Sequence, residues 1–147
     1  MNEAILDART HSAQARSWSD ASRLAVRGLG VALLVLVLAL TLSDEVVRPQ
    51  FMAGQDKVEH VLAFLALAFA FALGASLWAV LSYGLALSGV AFAIEFLQEI
   101  VTTTREGGLN DALAGCVGVV LGLGFALVIN QLVAALMQRT SSRALAH

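Results

Sequence analysis

The chain has 147 residues, of which 59% are hydrophobic and 14% are charged, and its formal net charge is -2 at pH 7. Soluble domains average roughly 25% charged residues, so this composition is typical of a protein that crosses a membrane. A net negative charge provides no basic surface that would attract a phosphate backbone, which argues against nucleic acid as a partner.

Hydrophobic runs long enough to cross the roughly 30 Å hydrocarbon core of a bilayer predict four transmembrane helices. The central run, Val61 to Ile94, is too long for one crossing at about 1.5 Å of rise per residue. We therefore divide it just after Ser76, where Trp78 and Tyr83 suit a membrane interface. The predicted helices cover about residues 22–42, 57–76, 79–101 and 111–137.

Polar segments flank this predicted transmembrane domain, which extends over residues 22–137. Residues 1–21 form a polar N-terminal tail and residues 138–147 a second tail. The first hydrophobic run follows arginines, as in a signal peptide, but it exceeds the usual ~7 to 15 apolar residues, so we expect a retained helix. The lone Cys116 lies inside the last run and is expected to be a packing residue.

The distribution of positive charge predicts the orientation in the membrane. Six arginines lie near the start of the first helix or after the last: Arg9, Arg16, Arg23, Arg27, Arg139 and Arg143. The opposite side holds Arg48, Lys57 and Arg105. Because positively charged flanks tend to remain cytoplasmic, both termini are predicted to be cytoplasmic. The predicted fold is an all-α, up-and-down bundle of four transmembrane helices.

An up-and-down path brings the start of the second helix, the end of the third and the start of the fourth to the same side of the membrane. These segments combine acids, bases and a glutamine, so we predict a polar pocket at the outward-facing end of the bundle. Its candidate binding residues are Asp56, Lys57, His60, Glu95, Gln98, Arg105 and Asp111. The sequence assigns no catalytic residue, no metal ligand and no cofactor.

Glu95 lies about 9 Å along its helix from Val101, at ~1.5 Å per residue. A carboxylate at that depth costs on the order of 2 to 3 kcal/mol unless it is paired or hydrated, which indicates either a functional role or an obligatory partner. The alternative is that its side chain reaches back to the interface. Acids outnumber bases at this end, so protonated carboxyls, exposure to water or a bound cation must offset the difference.

Glycines recur at helical spacing on the fourth helix. Gly115, Gly118 and Gly122 follow Asp111 at i+4, i+7 and i+11, which places all four residues on one stripe. Small residues allow membrane helices to approach closely. We therefore predict that these glycines pack against another helix and that Asp111 points into the bundle.

Three short motifs occur in order between Asp56 and about Leu123: "DKVEH" at a helix start, "EFLQ" near the end of the next helix, and "REGGLND" before the last. Together they resemble the D-K-x-x-H, E-x-x-Q and R-x5-D motifs of the VanZ-like family of small bacterial membrane proteins. Where that family often has Pro-Gly before the arginine, this chain has Thr103 and Thr104. Where it often has Asn after the aspartate, this chain has Gly115.

The resemblance implies an integral protein of the bacterial inner membrane, and one class of the family is linked to low-level resistance to the glycopeptide teicoplanin. The favoured hypothesis is a cell-envelope protein that binds a lipid headgroup, peptide or glycan, with Lys57 and Arg105 contacting a phosphate or carboxylate. Its expected partner is a membrane lipid or a lipid-linked envelope component, with a protein partner in the membrane as a further candidate.

Three alternatives stay open. The first is a membrane enzyme acting on a lipid-linked phosphate or ester, with His60 as general acid or base and Glu95 or Asp111 as its orienting partner. The second is a proton or ion pathway through the membrane. The third is a structural membrane subunit, in which the polar residues only hold the helix ends together.

Overall fold

The computed structural model describes residues 19–42, 54–101 and 108–144, and within these ranges the chain is all α-helical, as predicted. The four helices are α1 (Asp20–Thr41), α2 (Gln55–Ala72), α3 (Leu77–Val101) and α4 (Leu109–Ala144). Each corresponds to one of the four segments predicted from hydrophobicity.

Three of the helices are long and apolar enough to cross a membrane: α1, α3 and the part of α4 from Leu109 to Arg139. The helix α2 has 18 residues, or about 27 Å at 1.5 Å per residue. Its first half carries Asp56, Lys57 and Glu59, and α2 is not among these three helices.

Local chemistry sets the helix ends. The Ser19 hydroxyl accepts a hydrogen bond from the Ser22 N–H at 3.1 Å and so caps the start of α1. The helix α2 ends at Ala72, before the predicted Ser76, because Gly74 adopts a φ of 65° that turns the chain toward α3. In contrast, α4 continues past the predicted end at residue 137 to Ala144, since neither glycine nor proline interrupts it there.

The helices α2 and α4 pack most extensively and approach most closely. A Cβ atom added to Gly118 would collide with the Val61 carbonyl oxygen, and one added to Gly122 would collide with the Leu65 carbonyl oxygen. Gly115 faces the Phe64 ring, with 3.0 Å between an added Cβ and that ring. The glycine stripe therefore places the backbones of the two helices in contact.

An apolar core lies between α2, α3 and α4, and it consists of Phe64, Leu67, Ala68, Leu87, Ala91, Ile94 and Val119. The outer surface is also apolar, with Trp78 and Leu85 each 80% exposed. Trp78 begins α3, as an interfacial residue should, whereas Tyr83 is half-buried and packs on the Phe71 ring, with 5.5 Å between ring centroids. Exposed apolar side chains on this scale suit a lipid environment.

The end of the bundle at the α2–α3 turn is held by the Asn130 side chain of α4. Its Oδ1 accepts a hydrogen bond from the Gly74 N–H at 2.8 Å, and its Nδ2 donates to the Ala72 carbonyl at 3.0 Å. One amide thus pairs the Gly74 N–H and adds a second hydrogen bond to the Ala72 carbonyl, which also accepts from the Ala75 N–H at 3.2 Å.

Candidate functional site: the polar end of the bundle

Polar side chains from all four helices meet at the end opposite Asn130. We call this region the polar end and define it by Thr41 of α1, Lys57 and His60 of α2, Glu95 and Gln98 of α3, and Gly108 and Asp111 at the start of α4. Antiparallel packing produces it, because α2 and α4 begin where α1 and α3 end.

At its centre, His60 and Glu95 form a buried pair. The His60 Nε2 and Glu95 Oε1 atoms lie 2.9 Å apart, and the two side chains are only 12% and 8% exposed. Within the described residues neither atom has a hydrogen bond of good geometry, so the contact is defined by its short distance, and it is an ion pair when His60 is protonated. Removing one partner of such a pair would leave a buried polar group uncompensated.

The contact of the other ring nitrogen of His60 shows which nitrogen carries a hydrogen. Its Nδ1 is 2.9 Å from the Asp56 carbonyl oxygen, one helical turn earlier. A carbonyl can only accept, so Nδ1 must carry a hydrogen. Favourable contact between Nε2 and Glu95 then requires one more proton, either on the imidazole as an imidazolium or on the carboxyl group. A favourable contact between α2 and α3 at this point therefore depends on one proton that either side chain can carry.

Glu95 also contacts the start of α4. Its Oε2 accepts a hydrogen bond from the Gly108 N–H at 2.8 Å, immediately before Leu109 begins the helix. A carboxylate at a helix N-terminus is stabilised by the unpaired N–H groups and by the helix dipole. Glu95 thus caps α4 from α3, while its other oxygen contacts α2.

Lys57 and Asp111 form a second ion pair, between α2 and α4. The Lys57 Nζ lies 3.3 Å from Asp111 Oδ1, and the side chains are 51% and 19% exposed. Asp111 occupies the first turn of α4, where a negative charge is favourable. Because Lys57 is half exposed, this pair is weaker than the buried one and screened by salt.

Gln98 connects α3 to α1. It is 4% exposed, and its Nε2 donates a hydrogen bond to the Thr41 carbonyl at 3.0 Å. That carbonyl belongs to the last residue of α1, so the hydrogen bond joins the end of α1 to α3. The Thr41 hydroxyl in turn donates to the Val37 carbonyl at 2.6 Å. The polar end therefore links every helix of the bundle.

A cleft of about 100 Å³ opens between α1 and α2 beside the buried pair. Its lining residues are Val37, Leu40, Thr41, Glu59, His60, Ala63 and Phe64. Apolar side chains form most of its wall, and Glu59 and His60 bring polar groups to it. His60 thus lies between the cleft and Glu95.

The structure brings together most of the residues predicted from the sequence, but in particular pairs. His60 contacts Glu95, Lys57 contacts Asp111, and Gln98 contacts α1. The Asp56 side chain is exposed, and its carbonyl is what contacts His60. Arg105 lies outside the described residues.

Sequence reasoning did not identify Thr41 and Gly108, because both contribute backbone groups. The position of Gly108 just before a helix and that of Thr41 at a helix end were the available signals.

Within the described ranges, no group of three or more His, Cys, Asp and Glu residues could hold a metal ion. Comparisons of the chain with family models, with curated proteins and with solved structures find no match. The resemblance to the VanZ-like family therefore stays a prediction based on the motifs.

Proposed function

We propose that the chain is a VanZ-like protein of the bacterial inner membrane whose polar end binds the polar head of a membrane lipid or of a lipid-linked envelope component. In this proposal the chain crosses the membrane four times, both termini are cytoplasmic, and the polar end faces outward. A link to glycopeptide tolerance follows from the same resemblance.

Four crossings are supported by the way α2 and α4 are joined at both ends. Lys57 of α2 contacts Asp111 of α4 at the polar end, and Ala72 contacts Asn130 at the other. From Asp111 to Asn130, α4 rises about 28 Å at 1.5 Å per residue, close to the ~30 Å of the hydrocarbon core. The helix α2 extends over the same depth, although its composition is more polar.

The observation that carries the binding role is the buried pair of His60 and Glu95 beside a cleft. Ionisable groups among membrane helices are costly and are usually retained for function. Here they lie at the end of an apolar bundle, next to a space of about 100 Å³ with apolar walls. A cleft of this character suits part of an amphiphile, with its polar atoms near Glu59.

The geometry favours binding over acid–base catalysis. A general base needs one ring nitrogen directed at its substrate while the other is oriented by a partner. In this protein the Nδ1 of His60 donates to a backbone carbonyl and the Nε2 faces Glu95. Both nitrogens are engaged within the protein, so His60 has none to offer a substrate in this conformation.

The test fills the cleft without changing a polar residue. Ala63→Leu adds three carbons to the cleft wall, whereas Ala93→Leu adds the same atoms at an exposed position of α3. Native mass spectrometry of protein purified from mixed bacterial lipids then compares which lipids each variant retains. We expect the wild type and Ala93→Leu to retain a specific lipid and Ala63→Leu to lose it by at least several-fold.

Expression in a teicoplanin-susceptible host provides the cellular readout, with membrane abundance of each variant measured in parallel. We expect tolerance to rise with the wild type and Ala93→Leu but not with Ala63→Leu. Equal lipid retention by all three proteins would contradict the binding role and would favour a structural one.

A further inference from the structure

We infer that the His60–Glu95 pair is a proton-dependent latch that closes α2 against α3 at the polar end. This conformational control is separate from ligand binding and would operate in the protein whatever the cleft holds. It follows from two acceptors at the imidazole ring, the Asp56 carbonyl and Glu95 Oε1, and from the Gly108 N–H that donates to Glu95 Oε2.

The closed arrangement of His60 and Glu95 needs one more proton than the uncharged ring and the carboxylate carry. Nδ1–H donates to the Asp56 carbonyl, so an uncharged ring presents the lone pair of Nε2 toward Glu95 Oε1 at 2.9 Å. A lone pair facing a carboxylate repels it. With one added proton the same contact becomes an imidazolium–carboxylate pair or its neutral equivalent, and both attract. Closure therefore binds one proton, and opening releases it to water.

Among the described residues, no neighbouring positive charge replaces this proton. On α2, the Lys57 ammonium contacts Asp111, while Asp56 and Glu59 carry negative charge. On α3 the next ionisable group is the acid Glu99, and α4 contributes Asp111. The α1 residues lining the cleft carry no charge: Val37, Leu40 and Thr41. When the proton leaves, the contact that Glu95 keeps within the described part of the chain is the hydrogen bond from the Gly108 N–H.

Loss of this proton separates α2 from α3 and leaves α2 packed on α4. The helix α2 is held against α4 by the glycine stripe and packs less extensively on α3. Near the polar end, the polar contact seen between α2 and α3 among the described residues is the His60–Glu95 pair itself. Its loss therefore weakens the α2–α3 contact while α2 and α4 stay together. Since His60 also lines the cleft, this movement changes the cleft wall.

The decisive variant is Glu95→Gln. The amide N–H can donate to Nε2 of the uncharged ring, while the amide oxygen still accepts from the Gly108 N–H. Every contact of the closed state is then made without the titrating proton. Glu99→Gln is the matched control, because Glu99 is an exposed acid one turn further along the same helix.

The measurement is a distance between spin labels on α2 and α3. Cysteines replace the exposed Val58 and Ile100 in a Cys116→Ala background, and double electron–electron resonance follows the labels in nanodiscs as pH is raised. Nitrogen-15 spectra of labelled histidine report the proton on His60. We expect the distance to lengthen as His60 loses its proton in the wild type and in Glu99→Gln, and to stay short in Glu95→Gln.

A wild-type distance that does not change with pH overturns the latch, as does a Glu95→Gln distance that lengthens like that of the wild type. Should Glu95→Gln fail to insert, His60→Gln replaces it, because its amide donates directly to the Glu95 carboxylate and is equally insensitive to pH. The same result is expected of it.

Discussion

At the scale of single residues, Gly118 and Gly122 determine how close α2 and α4 lie. The space that a methyl group would need at Gly118 is occupied by the Val61 carbonyl oxygen, which belongs to the backbone and cannot rotate away. Gly124 lies on the same helix but has no neighbouring atom within 4 Å of an added Cβ. Two glycines of one helix therefore respond in opposite ways to the same substitution.

Gly118→Ala should lower the free energy of unfolding by roughly 1 to 3 kcal/mol, since overpacking forces the helices apart. Gly124→Ala should leave stability unchanged or raise it by about 0.5 to 1 kcal/mol, because alanine restricts the unfolded chain and favours a helix. Unfolding in mixed micelles of increasing SDS content, followed by circular dichroism, measures both. Equal stability of the two variants would refute close contact at Gly118.

The residues of the polar end were partly predictable at this scale. Helical spacing and an up-and-down path place His60, Glu95 and Asp111 at one level, because each lies near the end of its own helix. Spacing does not determine how each helix is rotated about its axis, and that rotation decides that Glu95 meets His60 while Asp111 meets Lys57. Backbone contacts such as Gly108 N–H to Glu95 have no side-chain signature in the sequence.

At the scale of helices, Asn130 controls the end of α2. It lies at the end of the bundle opposite the polar end. Its two hydrogen bonds are made to backbone groups of Ala72 and Gly74, and neither involves a charged group. The sequence alone places Asn130 in the last hydrophobic run without indicating a partner, because the chain separation to Gly74 is large. The shortened α2 depends on this contact together with the positive φ of Gly74.

Asn130→Leu should destabilise the bundle by about 1 to 3 kcal/mol, since it leaves the Gly74 N–H without its partner and removes one of the two hydrogen bonds of the Ala72 carbonyl. Gln131→Leu introduces the same side chain at the neighbouring exposed position and should have little effect. Hydrogen exchange at the Gly74 amide, measured by mass spectrometry, should increase in Asn130→Leu alone. Unchanged exchange there would show that Asn130 does not hold the turn.

Helix limits were less predictable than the helices themselves. Hydropathy locates a segment that suits lipid, whereas a helix ends where its backbone finds another partner or meets a residue that breaks it. For α4 these two criteria differ, since the polar residues Gln138 and Arg139 end the hydrophobic run but continue the helix. For α2 they differ in the other direction, because the run continues past Gly74.

At the scale of the whole molecule, the bundle is polar at one end and apolar around its sides. Hydrophobicity and length together predicted four helices and their order, because polar segments separate three hydrophobic runs and the central run is too long for one crossing. Composition identifies three of them as able to cross a membrane and leaves α2 below that level. The hydrophobic runs of the sequence therefore predict four crossings, whereas the length and composition of the helices support three.

Topology mapping separates the possibilities. With four crossings, Ser19 before α1 and Arg139 near the end of α4 lie on the same side, whereas three crossings place them on opposite sides. Cysteines introduced at these positions in a Cys116→Ala background can be labelled with a membrane-impermeant maleimide in intact cells and in inverted vesicles. We expect both to react only in inverted vesicles, which expose the cytoplasmic face. Labelling of one cysteine in each preparation would refute four crossings.

The helix α4 has 36 residues and continues from Asn130 for about 21 Å beyond the level at which α2 ends. A fluorescent protein or affinity tag joined directly after Ala144 would thus be held by a rigid helix and not by a flexible linker. Each residue added to a helical junction would rotate the attached domain by about 100° around the helix axis. Attachments made there offer a choice of direction as well as distance.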